Sequence, residues 1–221
     1  MTRLTQDELK ATQRIFNHVN DLCGNYFGRK TFGEIRLFVS LNRWIMFPVF
    51  NVGSLKEGAS YPAPNIYVAF RNGIVDDGNG RADSWVGVTY NNKESMLWLD
   101  TVLKVNNAPF FINTINALDS DWKISIDQKT KTTFKDNTPE YRTIDSFEAK
   151  SVTVDDIKTG ITKSNSMLFQ PGDDYPFPDG HFEEVIGCVS TFNVSIWSTA
   201  DTFDRYSKEA FDLFMRILTL R

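Results

Sequence analysis

Two cysteines and two histidines in a chain of 221 residues leave little material for several common kinds of chemistry. His18 and His181 are far apart, and neither has a Cys or His companion at metal-ligand spacing, so a compact zinc signature is missing. Cys23 and Cys188 are equally remote, and two buried free thiols are expected in place of a disulfide framework. There is no Gly-x-Ser-x-Gly nucleophile elbow, and no glycine-rich loop ends in the Lys-Ser or Lys-Thr of a phosphate cradle. Long hydrophobic runs are absent as well. The opening MTRLTQDELK lacks the apolar core of a signal peptide, and no run approaches the roughly 20 apolar residues of a membrane span. A cytoplasmic protein with no membrane association is therefore expected.

Charge of one sign is also scarce. With 28 acidic and 24 basic residues the formal net charge is −4 and the pI about 5.3, which disfavours a surface that wraps nucleic acid. Two local basic groups stand out: Arg29, Lys30, Arg36 and Arg43, and Lys123, Lys129, Lys131 and Lys135. Each is spread over expected strands and loops, which predicts an ordinary solvated sheet face.

What the chain does contain is core material: 41% hydrophobic residues, with 18 Phe, 7 Tyr and 5 Trp. No segment has the polar bias of a linker, and one domain over 1–221 is expected. Residues 181–198 carry a long β-favouring run, with Ile186, Cys188, Phe192, Val194 and Ile196 on one parity. Helical spacing follows, placing Phe203, Tyr206, Ala210, Leu213, Phe214, Ile217 and Leu218 on one side. At the other end, Thr5 and Glu8 have capping-box spacing ahead of an apolar stripe from Leu9 to Tyr26.

Between these ends, period-two runs predict strands at 34–41, 44–52, 65–71, 85–90, 122–129 and 140–150. Pro48 demotes its strand to an edge or a bulge. Helices are predicted after an Asn91/Glu94 cap, after Asn107-Ala108-Pro109, and between Thr153 and Lys163. In the first of these, Met96, Leu97, Leu99, Val102 and Leu103 are assigned to the buried side. The fold class that follows is α+β, a mainly antiparallel sheet covered by N-terminal, central and C-terminal helices. Asn72 to Asp83, NGIVDDGNGRAD, is the most unusual loop. Its glycines and carboxylates suggest a cation loop, but the oxygen-ligand alternation of an EF-hand is missing, so a hairpin turn is expected.

One catalytic arrangement can be assembled from strand residues. Asp127 precedes Glu148-Ala149-Lys150 by about twenty residues, and Glu148 and Lys150 share a parity. Asp127 and Glu148 would hold Mg²⁺, and Lys150 would orient or deprotonate the water that attacks a phosphodiester. The spacing resembles the Asp…Glu-x-Lys pattern of the restriction-endonuclease-like nucleases, although no Pro precedes Asp127. That resemblance implies an Mg-dependent phosphodiesterase or nuclease with nucleic acid as substrate. The leading expectation is instead a non-enzymatic protein-binding or structural module without a cofactor. It would meet a protein partner, or a second copy of itself, through a sheet edge or an apolar groove.

Overall fold

A computed structural model describes residues 5–27, 38–39, 45–49, 64–70, 76–104, 106–133, 140–177 and 180–220. In chain order the elements are α1 (Gln6–Phe27), β1 (Phe38–Val39), β2 (Ile45–Val49), β3 (Asn65–Phe70), β4 (Ser84–Tyr90), α2 (Lys93–Val102), α3 (Ala108–Asn116), β5 (Lys123–Thr132) and β6 (Glu140–Glu148). A 3₁₀ turn (Ala149–Ser151), α4 (Val154–Ser166), β7 (Asp174–Pro176), β8 (Phe182–Ser198) and α5 (Phe203–Leu218) complete it. The fold is α+β, an antiparallel sheet flanked by several helices. Among the described residues no helix is long and apolar enough to cross a membrane.

The chain forms two compact units, 1–89 with 195–221, and 90–194, and it passes between them inside β4 and inside β8. In the first unit β1, β2, β3 and β4 pair in sequence, each antiparallel to the last. Pro48 pairs with Tyr67 of β3, whereas β1 covers only Ile45 and Met46 on the other side. Ile66, Val68, Val86 and Val88 are buried, and so are Phe203, Ala210, Leu213, Phe214 and Ile217 of α5. The α5 stripe thus serves packing, as its spacing predicts. At the start of α1, Thr5 N–H donates to Glu8 and Glu8 N–H to Thr5 Oγ1, which closes the expected capping box.

In the second unit β5 lies between β8 and β6, and β7 pairs with β8. Its core is built from Leu99, Phe111, Ile115, Trp122, Ile124, Ile126, Ile157, Val185 and Phe192, all buried. Gly160 brings α4 onto β5: a Cβ there would sit 2.2 Å from Ile126 Cδ1. That closeness explains a glycine inside a helix where alanine would be about 1 kcal/mol better. Polar ties reinforce the contact, with Gln128 Nε2 donating to Ser164 O at 2.8 Å and Ser190 Oγ lying 2.7 Å from Ser164 Oγ.

Several boundaries differ from expectation. The cap of α2 is Asn92, bonded reciprocally with Ser95, one residue beyond the Asn91/Glu94 pair. Ser95, Leu99 and Val102 are buried. Leu97, about 200° around from Ser95, is 59% exposed. β6 ends at Glu148, and Lys150 belongs to the 3₁₀ turn that follows. In β8 the inward parity changes along the strand: Val185 is buried and Ile186 is 45% exposed, whereas Ser190 to Ile196 are buried on both faces.

Candidate functional site

The three residues of the nuclease-like arrangement are not brought together. Asp127 pairs with Thr143, whereas Glu148 pairs with Lys123, about four residue steps and roughly 13 Å away along β5. Glu148 is already engaged by the Lys123 ammonium at its own end of the strand pair. Lys150 is exposed in the 3₁₀ turn. A register shift between Ile126 and Asp127 adds to the offset. Asp127 itself is buried, 8% exposed, with one oxygen accepting from Ser125 Oγ at 2.9 Å and from Asn193 Nδ2 at 2.6 Å. Burial raises its pKa above the ordinary carboxylate value, against the lowering effect of hydrogen bonds from Thr143, Ser125 and Asn193. No group of three His, Cys, Asp or Glu side chains among the described residues could hold a metal ion.

The loop that looked most like a ligand site spends its charges on its own fold. Asp76 accepts two bonds from Arg14, both 3.1 Å, and one from Gly78 N–H at 2.7 Å. Asp77 accepts from the amides of Asn79 and Arg81, and the Asn79 amide leads in holding its carboxyl below the usual range. Asp83 accepts from Ala200 N–H, and Asp204 bridges His18 at 2.8 Å and Arg81 at 2.9 Å. Gly80, at φ +86°, presses against α1, where a Cβ would meet Arg14 O at 2.8 Å and His18 Cβ at 2.9 Å. The segment is the expected hairpin turn, closed by an Asp76–Ala82 bridge. His18 is a fold contact, and His181 pairs with Glu183 at 2.6 Å.

A concave feature of the described surface lies in the second unit. It is an open groove of about 960 Å³ between α2 and α4, reaching β5 and β8. α2 supplies Lys93, Met96, Leu97 and Asp100, and α4 supplies Lys158, Ile161, Thr162 and Asn165. Each set follows i, i+3, i+4, i+7, the spacing of one helix face. On α2 this is a second stripe, distinct from the one that enters the core. Lys129 and Lys131 of β5 and Gly187 to Ser190 of β8 form the remaining wall. Asn165 is held in place by Ser190 Oγ, 2.7 Å from its side-chain oxygen.

Electrostatically the groove is one-sided. Lys93, Lys129, Lys131 and Lys158 line it, and the one lining carboxylate, Asp100, is bound at 2.6 Å by Lys104. Among the described residues no carboxylate lies within ion-pair distance of those four lysines. Lys129 donates to Asn91 O at 3.2 Å, and burial, with Lys131 close by, lowers its pKa. Met96, Leu97, Ile161, Leu168 and Val189 give the groove an apolar interior, and Cys188 carries a free thiol there.

Of the basic groups read from sequence, Lys129 and Lys131 face the groove where a plain solvated face was expected. Lys123 pairs with Glu148 instead, and Arg29, Lys30, Arg36, Arg43 and Lys135 lie outside the described residues. The signal available in the sequence was the same-parity pair Lys129 and Lys131, together with the apolar Met96-Leu97 on the far side of α2. No protein-family model, curated protein or solved structure matches this chain.

Proposed function

We propose that this protein is a non-enzymatic protein-binding module whose second unit receives an acidic, partly apolar segment of a partner protein. The observation that carries this reading is the groove with four lysines, no free carboxylate and an apolar interior, on a chain whose net charge is −4. Lysine stems cover apolar surface while their ammonium heads stay wet, so the groove offers both kinds of contact to one ligand. A protein with a negative net charge repels other acidic chains in general, and a basic recess then selects where an acidic segment lands. Lys129 fits this role: burial disfavours its charge, and an arriving carboxylate would offset that cost.

The test is a fluorescence-anisotropy titration with two dye-labelled peptides, one alternating valine with glutamate and the other valine with lysine. The acidic peptide is expected to bind saturably, more weakly as salt rises, and the basic one not at all. Equal binding of both, or none of either, would overturn the reading.

A further inference from the structure

We infer that the acidic segment binds as an added β-strand, on the open edge of β8 at Gly187–Val189. This rests on the groove reading above and says how the groove is used. Val185 N–H donates to Asp173 O and Val185 O accepts from Gly172 N–H, so both of its main-chain groups point to the β7 side. Glu184 O points the other way, to the N–H of Thr133, the residue that follows β5. In an antiparallel strand the direction alternates residue by residue, and Gly187 and Val189 therefore turn their N–H and C=O groups to the β7 side.

Among the described residues, no printed pairing of β7 reaches them, and β4 ends short of them. The β7 register ends at Glu184, extended by the two bonds at Val185. β4 ends at Tyr90, whose ring packs edge-on against Phe192 with centroids 5.6 Å apart, and the chain then turns into α2. The uncovered stretch opens into the groove, which Gly187 and Val189 line. Gly187 adds an independent pointer. It is in extended backbone with no positive φ, and a Cβ there would meet nothing within 4 Å. The fold does not require a glycine at this position, and a strand glycine without such a need marks close approach by another backbone. Lys129 and Lys131, on β5 at the far side of β8, line the same groove, and its positive charge gives the incoming strand its acidic character.

The experiment uses the intact protein and the valine–glutamate peptide, with two further versions N-methylated at every valine or at every glutamate. Alternation fixes the register, because a one-residue slip exchanges the valine and glutamate faces. One methylated version should bind at least about tenfold more weakly, since its amides meet β8, and the other within about twofold of the parent. On the protein, Gly187→Pro removes the amide and should weaken binding by a similar factor, with Gly187→Ala as the control that retains it. If the proline variant fails to fold, the methylated pair still decides. Parent binding that neither methylation weakens would overturn strand addition and leave the groove reading standing. Absence of any binding would overturn both. A dimer of the free protein that the peptide does not dissociate would make a second copy the occupant and overturn the partner strand.

Discussion

Two charged regions of this molecule, one contiguous in sequence and one assembled from four elements, behave differently in space. The hairpin from Asp76 to Asp83 in the first unit carries three carboxylates and an arginine, and each finds a partner within that unit: Arg14, backbone amides, Ala200 N–H or Asp204. The groove of the second unit carries four lysines and no carboxylate left to answer them. A dense cluster of charge whose members satisfy one another stabilises a fold and leaves nothing for a ligand. A sparser set that the fold leaves unanswered is the better site.

Core packing sets the scale for breaking this contrast. Phe214, 1% exposed, should cost about 3–5 kcal/mol on Phe214→Ala, through lost transfer energy and the cavity left behind. Urea melts measure it, and a loss below about 1 kcal/mol would contradict the packing of α5 against the first unit's sheet.

Next in size is the clasp. The Asp76 side chain is 2% exposed and takes two bonds from Arg14. Arg14→Ala strands that carboxylate with only the Gly78 amide and should cost about 1–3 kcal/mol, with peptide binding unchanged. If Arg14→Ala were silent in stability and harmful to binding, the two regions would have to exchange roles.

Changing the groove should do the reverse. Lys131→Glu, at an exposed position, should move stability by no more than about 0.5 kcal/mol, because surface substitutions away from packed features rarely do more. A melting curve that drops further would show that this lysine is part of the fold.

The smallest effect concerns Asp127. Its folded pKa is raised above the ordinary 3.8, chiefly by burial. Below that ordinary value both states are protonated. As pH rises through 3.8 and past the folded value the unfolded chain ionises first, so this group's contribution to stability falls. Asp127→Asn removes the penalty, and the difference in stability between variant and parent should shift in favour of the variant across that window. A difference that stays flat with pH would contradict the burial account.

The fold was largely legible because periodicity is a local property: the stripe of α5 and the alternation in β5 follow from neighbours in sequence, whereas in α1 Ile15 and Val19 are buried but Leu9 is exposed. Failures came where a single residue of phase mattered. Asn91 and Asn92 are both competent caps, and the reciprocal Asn92–Ser95 bonds single out the second. β6 carries no local mark that Lys150 falls beyond its end, and the offset of Asp127 from Glu148 follows from a strand pairing that their spacing alone does not reveal. The groove was hardest to see, since it joins α2, β5, α4 and β8, and no short motif spans them. Lys129 and Lys131 announced a face, but that α2 and α4 would leave it open, with no carboxylate in reach, is a property of the packed chain.

The most direct measurement is calorimetric titration of the valine–glutamate peptide into the parent protein, into Arg14→Ala and into Lys129→Glu with Lys131→Glu. The account predicts equal affinity for the first two and at least about a tenfold loss for the third, since charge-assisted contacts are each worth roughly 1.5–3 kcal/mol. Undiminished binding by the lysine variant, or a loss confined to Arg14→Ala, would contradict it.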